Sequence, residues 1–107
     1  MKARLLGLDP GVRTRKITLR NLPVLVGRSH DADVRVVDSW ISRIHCEIGE
    51  MDGTLVVRDL ESTNGTLING EHVEEAPLLP GDRLTMGITS FRVEYKRAAK
   101  KSVLAAV

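Results

Sequence analysis

Three short motifs hold most of the polar side chains that are able to bind an anion and a peptide backbone. These motifs are Gly27-Arg28, Ser42-Arg43-Ile44-His45, and Ser62-Thr63-Asn64-Gly65-Thr66 with the nearby Asn69-Gly70. A guanidinium is a planar fork of N–H donors that matches the geometry of phosphate oxygens. Arg28 and Arg43 therefore supply cations, and Ser42 supplies a hydroxyl. We interpret the stretch from Ser42 to Gly70, with Arg28, as a phosphopeptide-binding site built from loops.

The rest of the chain provides short strands that position these motifs. The Asp9-Pro10-Gly11, Asp52-Gly53 and Asn69-Gly70 sequences predict tight turns, and residues 74–82, which include two prolines, are predicted to be a loop. About ten short strands, with no convincing amphipathic helix, predict an all-β sandwich or barrel. One strand precedes the first turn, and the others are predicted at residues 14–19, 24–26, 34–36, 44–48, 55–60, 66–68, 72–73, 83–86 and 90–95.

Composition indicates one domain with an aliphatic core. The chain has 107 residues, 42% of them hydrophobic, and its three aromatic residues are Trp40, Phe91 and Tyr95. Four of the 16 Lys and Arg residues lie in the last twelve positions, so residues 1–95 carry 12 basic against 14 acidic side chains. This body is not basic enough for bulk nucleic-acid binding. We assign residues 1–95 to the folded domain and residues 96–107 to a basic tail, flexible or weakly helical.

The single cysteine and the absence of long apolar runs predict a cytoplasmic protein. Cys46 has no partner for an intrachain disulfide and fits a small core residue in a reducing compartment. No apolar run reaches the 18 or so residues that span a bilayer, and Met1 to Leu8 lacks the apolar core of a signal peptide. We therefore expect no membrane partner.

The three motifs, in this order and at this spacing, resemble the signature of the forkhead-associated (FHA) domain, over nearly the whole chain from Arg4 to Tyr95. The resemblance implies a sandwich of two twisted antiparallel sheets whose loops at one end bind phosphothreonine in a partner protein. It gives His45 a structural role, bracing the loops beneath the site. The other residues that we assign to the structural motif are Gly27, Gly65, Asn69 and Gly70.

The chemistry of phosphothreonine agrees with these residues. A phosphothreonine carries about −1.5 to −2 charges at pH 7 and three strong acceptor oxygens. Arg28, Ser42 and Arg43 are the predicted phosphate-binding residues, although Arg43 is equally able to face a neighbouring loop. Asn64 can pair with the main chain of the peptide, and Thr63 can bond it too. Three charge-assisted bonds of about 1.5–3 kcal/mol each are compatible with micromolar binding.

Each of these residues also has a purely structural explanation. Arg28 can be a surface arginine paired with Asp31 or Asp33, and Ser42 can hydrogen-bond its own loop, as serines in turns do. Residues 63–64 can simply shape the turn before a glycine. For each residue taken singly, the sequence allows both a structural role and a binding role. The agreement of three separated motifs favours binding.

An enzyme is a weaker interpretation. Ser42 and His45, with Asp38 or Asp59, have the residue types of a hydrolytic triad. Residues three apart in an extended chain lie about 10 Å apart on opposite faces, whereas a nucleophile must reach its base. No nucleophile elbow is present, and the histidines show no metal-ligand spacing. We predict no catalytic residue, no metal and no cofactor.

Trp40 lies two residues before Ser42, in the loop that borders the predicted site. By the resemblance, this position can help to read the third residue after the phosphothreonine. Tryptophan offers apolar area and one N–H donor, so we predict a preference for apolar or aromatic residues in the peptide. The alternative is that Trp40 packs against its own loops.

Two functions from different classes follow. The first is a module that binds a threonine-phosphorylated protein, such as a Ser/Thr protein kinase or its substrate, in kinase signalling. The second is a phosphate-independent scaffold that uses the same loop face or the tail. The presence of Arg28, Ser42 and Asn64 together favours the first, because a scaffold that ignored phosphate would be free to lose them.

Overall fold

A computed structural model describes residues 1–9 and 15–97, so most of the predicted tail lies outside the described residues. The described residues form eleven strands and no helix. They therefore contain no helix that is long and apolar enough to cross a membrane. The strands are β1 Ala3–Gly7, β2 Lys16–Leu19, β3 Val24–Gly27, β4 Val34–Arg35, β5 Cys46–Met51, β6 Thr54–Asp59, β7 Thr66–Ile68, β8 Glu71–Val73, β9 Glu75–Leu78, β10 Arg83–Met86 and β11 Thr89–Glu94.

The strands form two sheets, which confirms the predicted all-β sandwich. One sheet has the order β2-β1-β11-β10-β7-β8, and the other has the order β4-β3-β5-β6-β9. One pair departs from the predicted antiparallel pattern, because β4 runs parallel to β3 with Val26 opposite Val34 and Gly27 opposite Arg35. Parallel strands normally need a long crossover. Here β4 has only two residues, so the loop formed by residues 28–33 is enough to bring the chain back.

Two predicted hairpin turns are confirmed by backbone geometry. Asp52 and Gly53 have φ values of 51° and 79°, and Asn69 and Gly70 have φ values of 50° and 86°. Positive φ at both central residues is typical of the type I′ turn, whose twist matches that of the flanking strands. β1 and β2 also pair as predicted, while the turn that joins them falls largely in residues 10–14, outside the described residues.

The prediction of a loop over residues 74–82 is wrong in its first half. Glu75–Leu78 is a strand, β9, which pairs with β6 along the edge of the five-stranded sheet. Pro77 lies opposite Val56 in this ladder. An edge strand tolerates proline because its outer side has no ladder partner and needs no N–H donor.

The core lies between the sheets and is aliphatic, as composition predicted, with Phe91 as its one buried aromatic side chain among the described residues. Burial raises the pKa of the Cys46 thiol to about 12, and the negative charge of Asp59 adds to this effect, so Cys46 acts as a small core residue. The buried apolar residues are Ala3, Leu5, Leu19, Val24, Val26, Val34, Val36, Ile41, Cys46, Ile48, Leu55, Val57, Leu78, Leu84, Met86, Phe91 and Val93.

Tyr95 connects the two sheets just after β11. Its hydroxyl accepts a hydrogen bond from the Leu55 N–H at 3.1 Å and donates one to the Leu78 carbonyl at 2.6 Å. Leu55 and Leu78 face each other across β6 and β9 in the opposite sheet. One side chain therefore satisfies a main-chain donor and a main-chain acceptor of the other sheet.

Tyr95→Phe should lower the free energy of unfolding by about 1–3 kcal/mol, because the Leu55 N–H and Leu78 carbonyl lose their partner. Urea denaturation of the variant and the parent chain measures this difference. Phosphopeptide affinity serves as the control and should not change, since Tyr95 lies outside the loops that form the candidate site. A variant as stable as the parent would show that the hydroxyl contributes nothing to sheet pairing.

Candidate functional site

Three loops meet at one end of the sandwich: the loop after β3, the loop between β4 and β5, and the loop between β6 and β7. Main-chain hydrogen bonds join them. The Arg28 N–H donates to the Ser42 carbonyl and the Ser29 N–H to the Arg43 carbonyl, both at 3.0 Å. The Leu60 N–H donates to the His45 carbonyl, also at 3.0 Å. The predicted site residues are thus carried by loops whose backbones are fixed to one another.

Gly27 permits the closest of these approaches. A Cβ atom at this position would lie 2.0 Å from the Arg43 carbonyl oxygen and 2.9 Å from the Ile44 Cα. Because both are backbone atoms, neither is free to rotate away. Glycine at the end of β3 is therefore what lets Arg28 and Ser42 lie on adjoining backbones, as the predicted close approach requires.

Arg28 is exposed and only partly engaged by the protein. Its Nε donates to the Ile41 carbonyl at 3.0 Å, which holds the guanidinium against the β4–β5 loop. Within residues 1–9 and 15–97 it forms no ion pair with a carboxylate. Asp33, one of the partners considered for it, instead accepts the Leu25 N–H at 2.8 Å. The terminal nitrogens of Arg28 have no hydrogen-bond partner among these residues.

Ser42 joins its loop to the β6–β7 loop. Its hydroxyl oxygen accepts the Thr63 N–H at 2.9 Å and lies 3.5 Å from the Thr63 hydroxyl. The second contact is too long to be a strong O–H···O bond, so the Ser42 proton is available to a ligand. Arg43 is exposed, and its side chain has no hydrogen bond or ion pair with the part of the chain that the structure describes.

Asn64 and Trp40 form the other side of the candidate site. The Asn64 amide nitrogen donates to the Trp40 carbonyl at 2.7 Å, so the orientation of the amide is fixed and its oxygen faces no other described residue within hydrogen-bond distance. The Trp40 side chain is 57% exposed. Thr63 and Asn64 are exposed as well, which leaves all three side chains accessible to a bound peptide.

His45 is fully buried beneath these loops. Its Nδ1 accepts the Ser42 N–H at 3.1 Å, and its Nε2 lies 2.8 Å from the Gly65 carbonyl. Because Nδ1 is an acceptor, we place the proton on Nε2, which then donates to Gly65. The ring bonds the main chain of Ser42 rather than its hydroxyl. This arrangement contains no serine–histidine pair of the kind that activates a nucleophile.

Asp59 stabilises the β6–β7 loop, a role that sequence reasoning missed. Its carboxylate accepts hydrogen bonds from the Ser62 hydroxyl, the Ser62 N–H at 3.1 Å and the Thr66 hydroxyl at 2.7 Å. Burial opposes ionisation, but these bonds from Ser62 and Thr66 outweigh it and hold the pKa of Asp59 below its ordinary value. Ser62 in turn accepts the Gly65 N–H at 2.9 Å. In the sequence, the only local pattern that indicates this cluster is the spacing of Asp59 three residues before Ser62.

Asp38 does the same for the β4–β5 loop, and sequence reasoning missed it too. It is buried and accepts the Trp40 N–H at 2.8 Å, the Ile88 N–H at 3.0 Å and the Thr89 hydroxyl at 2.7 Å. Burial raises the pKa of Asp38, but the bond from Thr89 and the two N–H bonds hold it below its ordinary value. A Cβ atom at Gly87 would lie 2.7 Å from this carboxylate.

Gly65, Asn69 and Gly70 shape the backbone near the site. Gly65 has φ +85°, and a Cβ there would lie 2.5 Å from His72 Nδ1. The Asn69 side chain accepts the Arg83 N–H at 2.9 Å and donates to Asp82 at 3.0 Å. The Asn69-Gly70 turn is therefore tied to the start of β10 and is not part of the loop cluster around Ser42.

Residues 24–87 match the FHA domain family. The chain belongs to this family. It is 39% identical over 82 residues to the FHA domain-containing protein FhaA of Mycobacterium tuberculosis, covering 77% of this chain and 15% of that protein. It is 33% identical over 93 residues to FhaB of the same species, covering 85% of this chain and 60% of that protein. This FHA chain thus spans less than two thirds of the length of these relatives.

Solved FHA domains have the same fold. One, from a study of phosphothreonine-dependent FHA domain interactions, has a TM-score of 0.81 at 33% identity and covers 92% of this chain and all of its own. The yeast Dun1 FHA domain, in complex with a doubly phosphorylated (pT) peptide derived from Rad53, has a TM-score of 0.75 at 31% identity. The match covers 92% of this chain and 77% of the Dun1 chain.

Asp59→Asn should lower the free energy of unfolding at pH 7 by about 1–3 kcal/mol, because an amide NH₂ cannot accept the bonds that a carboxylate oxygen accepts. The pKa of Asp38 and Asp59 is lowered on folding, so their contribution is full above the ordinary value of 3.8 and is lost as the pH falls through the folded value. The parent chain should therefore lose more stability than the variant between pH 7 and pH 3.

Urea denaturation at both pH values measures this difference. Asp52→Asn is the matched control, since it makes the same charge change in the exposed β5–β6 turn, where asparagine is also favoured. Equal acid sensitivity of the parent and Asp59→Asn would contradict the role given to this carboxylate.

Proposed function

We propose that this FHA domain binds phosphothreonine in a partner protein, at the end of the sandwich where Arg28 and Ser42 meet. One observation carries the proposal: an exposed guanidinium, held at Nε by the Ile41 carbonyl, lies on a backbone bonded to that of Ser42. Arg28 supplies N–H donors and positive charge, and Ser42 supplies a hydroxyl proton. A cation together with neutral donors suits the charge and the acceptor oxygens of a phosphate dianion.

The relatives support the choice of phosphothreonine. One matched FHA structure concerns phosphothreonine-dependent interactions, and the Dun1 FHA domain was solved with a phosphothreonine peptide. Phosphothreonine binding is a property of those proteins, and we extend it to this chain because it has Arg28, Ser42 and Asn64. The partner is then a threonine-phosphorylated protein, such as a Ser/Thr kinase or its substrate.

The neighbouring residues provide contacts for the peptide. The Asn64 amide is oriented by its bond to the Trp40 carbonyl, so its oxygen can accept a peptide N–H. Thr63 offers an exposed hydroxyl, and Arg43 a second cation beside the phosphate. The exposed Trp40 ring supports an apolar contact with a residue that follows the phosphothreonine. Gly27, His45 and Gly65 support the loops without touching the ligand, and the Asn69-Gly70 turn stabilises the neighbouring β7–β8 hairpin.

We also propose that the domain comprises residues 1–95 and acts by binding alone. The contacts of Tyr95 with the opposite sheet support this C-terminal limit. The Ser42 hydroxyl is bonded to Thr63 rather than to His45, which supports a binding role. We further propose a cytoplasmic location. The free thiol of Cys46 is typical of a reducing compartment, and the proposed ligand is made by kinases that use ATP.

Arg28→Ala, Ser42→Ala and Asn64→Ala should each weaken binding of a phosphothreonine peptide by about thirtyfold or more, the effect of about 2 kcal/mol. Each should change the free energy of unfolding by less than about 1 kcal/mol, because Arg28 and Asn64 are exposed and the Thr63 N–H that Ser42 accepts lies on an exposed residue that water can reach. His45→Ala should instead lower stability by about 1–3 kcal/mol, because it leaves the Ser42 N–H and Gly65 carbonyl unpaired in the interior.

Calorimetric titration with one phosphopeptide and urea denaturation of all four variants test this division. The same peptide without phosphate is the control, and it should not bind the parent chain. Equal affinity for both peptides would favour the phosphate-independent scaffold. Normal binding by Arg28→Ala and Ser42→Ala would show that the site lies elsewhere.

Binding should weaken as the pH falls from 7 to 5. The phosphate of phosphothreonine loses its second charge near pH 6, whereas the Arg28 guanidinium keeps its proton throughout. If the dianion alone binds, the affinity falls by up to about tenfold over this range. Calorimetry at pH 7, 6 and 5 measures it, with a melting curve at each pH to show that the domain stays folded. A constant affinity would contradict a site that binds only the doubly charged phosphate.

A further inference from the structure

Arg35, which sequence reasoning did not single out, lies beside the candidate phosphate site. It is exposed at the end of β4, directly opposite Gly27 on β3. Its Nε donates to the Arg28 carbonyl at 3.1 Å. This bond uses one of the five N–H donors of a guanidinium, so the terminal nitrogens of Arg35 are held near Arg28 with four donors still available.

No carboxylate in the described part of the chain lies within ion-pair distance of this group of cations. Within residues 1–9 and 15–97, Arg28, Arg35 and Arg43 form no ion pair. Asp33 lies on the loop between β3 and β4, and one of its carboxylate oxygens accepts a hydrogen bond from the Leu25 N–H. Three positively charged side chains therefore project from backbones that are bonded to one another at this end of the domain. The proposed ligand, one phosphothreonine, carries about −1.5 to −2 charges. A singly phosphorylated peptide leaves part of this positive charge without a counter-charge.

We propose that Arg35 forms a second anion subsite, which binds a further acidic group of the phosphothreonine partner: a carboxylate or a second phosphoryl group. This inference rests on the proposed function. Sheet order indicates where the group lies. β4 and β6 lie on opposite sides of β3 and β5, so Arg28 stands between Arg35 and the loop that carries Asn64. The second acidic group is therefore on the side of the phosphothreonine away from Asn64.

A different result is expected if Arg35 only supports the backbone of Arg28. If its only function is to support the Arg28 carbonyl, its removal weakens every phosphopeptide equally, because the first site is disturbed. A subsite residue instead affects only those peptides that carry the additional acidic group. The contrast between peptides, rather than the loss of affinity as such, identifies the role.

The experiment compares three sets of peptides. The reference peptide has one phosphothreonine and neutral neighbours; one set adds a glutamate at each neighbouring position in turn, and another adds a second phosphothreonine. For the parent chain we expect about tenfold tighter binding at one or two positions on a single side of the first phosphothreonine. Arg35→Gln should abolish this gain and keep the reference affinity within about twofold. Arg35→Lys, which keeps the charge, should retain part of the gain.

Arg20→Gln is the matched control, since it removes the same charge from an exposed position directly after β2, in the connection that leads to the start of β3 and not to its Gly27 end. It should leave the gain intact. A gain with glutamate identifies a carboxylate, and a gain with the second phosphothreonine alone identifies a phosphoryl group; both support the subsite. Three results overturn it: no gain in the parent chain, an equal loss for all peptides in Arg35→Gln, or the same loss in Arg20→Gln. Failure of the reference peptide itself to bind the parent chain would refute the proposed function, and the subsite with it.

Discussion

The loop end of this domain depends on one buried imidazole. His45 accepts a hydrogen bond from the Ser42 N–H and lies within hydrogen-bond distance of the Gly65 carbonyl, so a single rigid ring connects the loop before β5 to the loop before β7. It is fully buried, and no water is available to replace either bond if the ring moves. The separation of these two loops is therefore set by the width of an imidazole. That separation also sets the distance between Ser42 and the Thr63–Asn64 pair.

Three aspartates around the candidate site hydrogen-bond other groups of the protein, and among the described residues none of them forms an ion pair with Arg28, Arg35 or Arg43. Asp38 binds two main-chain N–H groups and the Thr89 hydroxyl, Asp59 binds Ser62 and Thr66, and Asp33 binds the Leu25 N–H. For Asp38 and Asp59 these hydrogen bonds outweigh the cost of burial and favour the ionised form. The carboxylates thus stabilise the loops from below, while Arg28, Arg35 and Arg43 remain exposed above them. Arg28 and Arg35 each donate only Nε to the described backbone, so the terminal nitrogens of both guanidinium groups keep their donors.

Features encoded in neighbouring residues could be predicted from the sequence, and features that depend on distant contacts could not. The Asp52-Gly53 and Asn69-Gly70 turns follow from the residues themselves, because few others adopt positive φ. The strand character of Glu75–Leu78 comes from pairing with β6, which outweighs the signal of Pro77. The bonds from Asp38 to Ile88 and from Arg35 to Arg28 likewise arise only when the sheets have assembled. The motifs gave the positions of the candidate binding residues, but not the groups that orient them.

The internal bonding of the loops bears directly on affinity. A peptide that binds flexible loops must also order them, and each immobilised side chain costs about 0.5–1.5 kcal/mol. In this domain the Ser42 hydroxyl, the Asn64 amide and the Arg28 Nε are each already bonded to a neighbouring loop. Their donors and acceptors are therefore oriented before a ligand arrives, and most of the free energy of each new bond contributes to affinity. Gly27 makes this arrangement possible, because any side chain there would separate the β3 end from Arg43 and move Arg28 away from Ser42. The most local constraint in the chain, a missing Cβ, thus controls how well three distant segments act as one site.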